Sequence, residues 1–182
     1  SYITGWIANA SFENNTFTGT QADGSSIGSN DGTINKPTGY TCYFNIGGWR
    51  DCTANETNPA DGNWCMNSWF GTINEQKFYQ TINSLPEGVY EISAKVRTDQ
   101  TSTDGIYTYG IAGGTTYKSA SWDASKMAGT WNSMENCQTL TARVPITPSG
   151  SLQFGLRSDK FMQFDDFHLT YYGNAVEVYN PA

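Results

Sequence analysis

The segment GVYEISAKVRT, residues 88–98, alternates apolar and polar side chains without a break. Tyr90, Ile92, Ala94 and Val96 fall on one side, and Glu91, Ser93, Lys95 and Arg97 on the other, which is the two-residue period of a half-buried strand. The same period runs through LTARVPI at 140–146, with Leu140, Ala142, Val144 and Ile146 inward, and through SLQFGLR at 151–157, with Leu152, Phe154 and Leu156 inward. IYTYGIA and FMQFDDFHLTYYG add two more strands. The best helical stretch, SWDASKMAGTW at 121–131, has a capping residue in Asp123 but is cut short by Gly129. Pro and Gly in LPEG at 85–88 suit a tight reversal, so QKFYQTIN and GVYEISAKVRT are expected to form a hairpin, and TPSG at 147–150 is expected to join two further strands. Many short strands with polar outer faces predict an all-β fold, a two-sheet antiparallel β-sandwich of jelly-roll type. The length of 182 residues suits one domain, 1–182, with the Gly, Ser, Asn and Asp-rich stretch from Asn14 to Thr38 as a surface excursion.

Charge narrows the partners. A net charge of -7 repels a phosphate backbone, so nucleic acid is excluded as a partner. No apolar run reaches the roughly 18 to 20 residues that span a bilayer, which predicts no membrane insertion. SYITGWIANA lacks the pattern of a signal peptide, so any export signal is expected to have been removed. The spacings of Cys42, Cys52, Cys65 and Cys137 fit no zinc pattern. In an oxidising compartment they would form two bridges, with Cys42 to Cys52 the most local pairing, and free buried thiols are the alternative.

Two adjacent acids, Asp165 and Asp166, interrupt the aromatic run FDDFHLTYYG. Strict alternation would place Asp165 with Phe167 and Leu169, and Asp166 with Phe164 and His168. A carboxylate on an apolar face needs a partner. Glu13, in NASFENN at 9–15, has the same character, and adjacent terminal strands would bring it towards Asp165. Calcium with oxygen ligands would remove the repulsion between them. Backbone hydrogen bonds, Arg157 or Lys160 are the alternative partners of Asp165.

NASFEN, PTGY at 37–40, FYQTINSLPEGVYEISAKVR at 78–97 and the terminal FDDFHLTYYG together resemble the galactose-binding-like jelly rolls and related carbohydrate-binding modules of polysaccharide-utilisation proteins in gut Bacteroidetes. The resemblance implies a structural calcium joining the N- and C-terminal strands, held by Glu13 and Asp165, with Asp166 as a second candidate. It also implies a non-catalytic module, secreted, periplasmic or cell-surface, tethered to a glycoside hydrolase or a surface glycan-binding protein.

Six tryptophans fit that expectation, because sugar rings pack on flat aromatic surfaces. Trp49 with Arg50 and Asp51, then Trp122 and Trp131, are the expected loop platforms for a polysaccharide or oligosaccharide, with Arg97 and Arg157 as outward hydrogen-bond donors. Trp6, Trp69, Phe78, Tyr90 and Phe154 are assigned to the core. Catalysis finds little support, since His168 is the one histidine and no GxSxG, HExxH or phosphate-cradling loop is present. Two rival readings remain open. One is a structural spacer or protein-interaction sandwich, and the other is a glycoside-active enzyme, which needs two carboxylates facing a pocket about 5 to 10 Å apart.

Overall fold

The computed structural model describes residues 4–13, 15–17, 35–37, 39–55, 59–98, 104–126, 134–148 and 150–174, with backbone alone at 4, 15–17, 35–37, 46–55 and 69–73. Ten strands follow in order: β1 (Asn15–Phe17), β2 (Asn35–Pro37), β3 (Thr41–Asn55), β4 (Cys65–Leu85), β5 (Gly88–Arg97), β6 (Tyr107–Ala112), β7 (Thr115–Lys118), β8 (Gln138–Ile146), β9 (Gly150–Ser158) and β10 (Met162–Gly173). Short 3-10 turns cover Thr4–Trp6, Ala124–Lys126 and Met134–Asn136. No helix among the described residues is long and apolar enough to cross a membrane.

β1 and β2 pair with each other, and the remaining strands form one antiparallel ladder in the order β7-β6-β9-β4-β10-β5-β8, with β3 added on β4. The length of β4 folds this ladder into two layers. Its first residues, Met66–Ser68, pair with Phe164–Met162 of β10, whereas Gln76 to Leu85 pair with β9. One layer therefore holds β3, β4, β9, β6 and β7, and the other holds β10, β5 and β8. Between them lie the alternating apolar sets of β5, β8 and β9, all buried as their period predicts. Phe78 meets Phe164 at 4.6 Å and Phe154 meets Phe167 at 5.6 Å across the interior.

The two expected reversals differ from what the turns alone suggest. β4 and β5 are joined by LPEG but do not pair, and β8 and β9 are joined through the cis Thr147–Pro148 bond without pairing either. Both turns carry the chain from one layer to the other. β4 pairs instead with β9 over Gln76–Leu85, and β5 lies between β10 and β8. Asp123 does cap a 3-10 turn, Ala124–Lys126, accepting from the Ser125 amide at 3.0 Å, and Gly129 lies outside the described residues.

Cys42 and Cys65 are buried and Cys137 is half-buried, whereas the side chain of Cys52, and with it the Cys42 to Cys52 pairing, lies outside the described residues. Trp6 is 52% exposed instead of buried, because it sits in the N-terminal turn outside both layers. Phe12 takes the interior position, with its ring 4.9 Å from Tyr40, 5.2 Å from Phe164 and 6.0 Å from Phe167. Phe12→Ala should cost about 3 to 5 kcal/mol, the usual loss for emptying a buried aromatic position, read as a lower denaturant midpoint in equilibrium unfolding.

Candidate functional site

The N-terminal segment lies along β10, where the Phe167 amide donates to the Ala10 carbonyl at 2.9 Å. Glu13 and Asp165 then converge on one short loop from opposite sides. Asp165 Oδ2 accepts from the Ala60 and Asp61 amides, each at 2.9 Å, and Oδ1 accepts from the Asp166 amide at 2.8 Å. Glu13 Oε1 accepts from the Asn63 and Trp64 amides at 3.0 and 2.8 Å, and Oε2 also accepts from Asn63 at 3.0 Å. Every oxygen of both carboxylates thus meets backbone N–H groups. Asp165 is fully buried, and burial pushes its carboxyl up to about 7 although the Asp61, Asp166 and Ala60 amides pull it down.

Strict alternation fails at this point in β10. Asp165 pairs with Lys95 and His168 with Ser93, so Asp166 and Phe167 together oppose a single residue of β5. Asp166 takes a φ of 55°, the left-handed turn of a bulge. The bulge puts Phe164 and Phe167 in the core together, correcting the parity that separated them. It also sends the Asp166 carboxylate away from Glu13 and towards the outer face, where it meets Lys95 Nζ at 2.8 Å and His168 Nε2 at 2.6 Å. The Asp166 hydrogen bond raises Lys95 above its ordinary value, and burial lowers His168.

Of the three acids expected to hold calcium, Glu13 and Asp165 reach this loop, whereas the carboxylate of Asp166 is paired with Lys95 and His168. Among the described residues no three His, Cys, Asp or Glu side chains are grouped to hold a metal. Carboxylate oxygens are the ligand type calcium takes, and here each of the four already accepts from a backbone amide.

The expected platforms fare unequally. Trp122 is buried, at 1% exposure, and its indole Nε1 donates to the Val96 carbonyl at 3.2 Å, so it is a core residue and no ligand platform. Arg97 is likewise buried, together with its strand neighbour Gln163, so the outer parity at this end of β5 is covered and not solvated. Trp131 and the side chains of Trp49, Arg50, Asp51 and Trp69 lie outside the described residues. The backbone of 49–51 belongs to strand β3, not to a loop, beside a register shift between Gly47 and Arg50.

Arg157 is where an outward residue was expected, and it stands in a groove the sequence reading missed. On the outer face of the β3-β4-β9-β6-β7 layer, Tyr43, Lys77, Arg157 and Tyr107 sit opposite one another on four successive strands. In the next row Gly155 lies between Tyr79 and Tyr109. Any side chain at Gly155 would strike the Phe78 carbonyl and the Tyr79 side chain, so glycine is required there. Glu75, Lys77, Tyr107, Tyr109, Ile111, Thr116, Lys118 and Arg157 line a groove of about 260 Å³. Glu75 receives Arg157 Nε at 3.1 Å and Lys77 Nζ at 3.3 Å, and although burial raises its carboxyl, these cations outweigh it and hold the group below the ordinary range. Arg157 also donates to the Gly105 carbonyl at 2.9 Å. The period-two pattern of YTYGI was the available signal, because it places Tyr107, Tyr109 and Ile111 on one face opposite Thr108, Gly110 and Ala112, although Tyr109 is itself buried at 4% exposure.

No protein-family model matches this chain, and no curated protein matches it. Solved structures do. The family-61 carbohydrate-binding module TmCBM61, in complex with β-1,4-galactotriose, is similar at 15% identity, covering 92% of this chain and 98% of that one with a TM-score of 0.57. The CBM22-1 xylan-binding domain of Paenibacillus barcinonensis Xyn10C is similar at 15% identity over 92% and 94% of the two chains, with a TM-score of 0.53. The CBM22-1 and GH10 modules of Clostridium thermocellum Xyn10B, complexed with xylohexaose, match at 17% identity over 92% of this chain and 30% of that one, with a TM-score of 0.50. The fold is an antiparallel β-sandwich like that of these carbohydrate-binding modules.

Gly62, at φ +63°, lies where a Cβ would run into the Glu13 carboxylate. Gly62→Ala should destabilise the protein by about 1 to 2 kcal/mol through backbone strain and a displaced Glu13. Asp165→Ala should cost at least about 2 kcal/mol, because it strands buried amide donors. A double-mutant cycle in chemical denaturation checks both, and strict additivity would mean that the two carboxylates do not act on one loop.

Proposed function

We propose that this protein is a non-catalytic carbohydrate-binding module whose ligand lies in the groove between β4, β9, β6 and β7. The observation that carries this reading is the gathering of tyrosine rings and charged hydrogen-bonding groups on one outer sheet face, in a fold that other glycan-binding modules share. Tyrosines supply broad contact area at low ordering cost, and Arg157, Lys77 and Glu75 supply directional hydrogen bonds to hydroxyls. We infer a secreted, periplasmic or cell-surface location and attachment to a glycoside hydrolase or surface glycan-binding protein, where a weak site gains from effective concentration. Affinity electrophoresis against a panel of polysaccharides tests the binding. Tyr107→Ala should weaken retention of the bound glycan about tenfold, as for loss of one aromatic contact, without shifting the melting temperature by more than a few degrees.

The spacer reading draws on the burial of Trp122 and Arg97, which removes two of the expected ligand contacts. It predicts that no glycan class is retained and that groove substitutions are silent.

Calcium at the clamp is a further proposal, supported by the convergence of Glu13 and Asp165 on residues 60–64. Any cation bound only by the folded protein stabilises it by mass action. Chelation should therefore lower the melting temperature, and calcium, but not magnesium, should restore it. An unchanged melting curve with no metal in elemental analysis would leave the amide hydrogen bonds as the whole clamp.

A further inference from the structure

We propose that the groove selects glycans bearing an anionic substituent, a uronate carboxylate or a sulfate ester. This rests on the reading of the groove as the ligand site and specifies its substrate class. The chain is acidic, with ten lysines and arginines against seventeen acids, yet three of the ten cations line this one groove. The groove lining contains one carboxylate, Glu75.

The positions of these cations are unfavourable for stability alone. Lys77 and Arg157 are directly opposite on adjacent strands, an arrangement in which like charges repel. Glu75 bridges them, and Asp159 Oδ2 lies 3.8 Å from Arg157 Nη1, so these two cations are offset while Lys118 is not. Lys118 has no carboxylate within salt-bridge range among the described residues. It lies over the Tyr107 ring at 4.8 Å instead.

The tyrosines reinforce this charge pattern. Lys77 Nζ is 5.4 Å from the Tyr43 ring centre, and the Arg157 guanidinium is 5.8 Å from that of Tyr107. Aromatic faces attract cations through their quadrupoles without neutralising them. The Tyr107 ring thus holds Lys118 at the groove and leaves its positive charge to a ligand. A neutral sugar would meet aromatic rings and hydrogen-bonding groups there, whereas an anionic one would also pair with Lys118.

The test is calorimetric titration with trigalacturonic acid, a sulfated carrageenan oligosaccharide and neutral β-1,4-galactotriose, each at about 0.05 and about 0.5 M salt. At least one anionic probe should bind more tightly than the neutral one, and its affinity should fall about tenfold or more at the higher salt. Lys118→Ala should weaken that probe about three- to fivefold and the neutral one by a smaller factor, as expected for loss of one exposed ion pair. Lys126→Ala, outside the groove, should change neither. Whether the galacturonide or the sulfated probe responds identifies the anion. Neutral glycans bound at this groove as tightly as anionic ones, and insensitive to salt, would overturn the preference while leaving the carbohydrate-binding reading intact. If none of the probes binds and a wider glycan panel is also not retained, the binding reading itself fails.

Discussion

A buried carboxylate organises one end of this sandwich. Asp165 is removed from water in the middle of an aromatic strand, and it is tolerable there because three backbone amides point at it. One of those amides belongs to Asp166, so the bulge that breaks the strand period also supplies a hydrogen bond. The other two belong to a loop that is held from its far side by Glu13. The geometry ties three stretches of chain together: the N-terminal segment, the start of β4 and the final strand. Phe12, one residue before Glu13, packs against Phe164 and Phe167 on either side of the acids, so the polar clamp and the apolar core fix the same register.

The clamp and the groove occupy separate parts of the molecule but depend on the same long strand. β4 begins at the loop held by Glu13 and Asp165, pairs briefly with β10, and then crosses to become the middle of the other layer. Its residues Glu75 and Lys77 line the groove there. Gly155 completes it by leaving space between two tyrosines. Glycan recognition in such a fold needs no catalytic constellation. It needs a rigid face on which rings and charges hold fixed spacings, and a paired antiparallel sheet supplies that.

Much of the fold was legible in the alternation itself. The inward sets of β5, β8 and β9 were read correctly because each strand has one dry and one wet face. Asp165 was recognisable as an acid in need of a partner for the same reason, and the convergence of the two ends followed from pairing it with Glu13. The hairpin through LPEG was misread because a Pro and Gly turn looks the same whether it joins neighbours in one sheet or arches between two. Trp122 was misread because its Gly-rich and polar surroundings suggested a loop, although the indole inserts beneath the end of β5. Tyr107 and Tyr109 went unremarked because aromatic residues on a strand read first as core.

Local pattern therefore determined what the chain alone can determine: an all-β protein, the faces of its regular strands, and the presence of one acid that must be compensated. These follow from side-chain period and the cost of burying charge, which are properties of short segments. The layer crossing of β4, the bulge that turns Asp166 outward and the row of cations beside tyrosines were decided by tertiary structure. Each depends on which strands become neighbours, and that choice is made by long-range burial of the whole core, where residues far apart in the chain first meet.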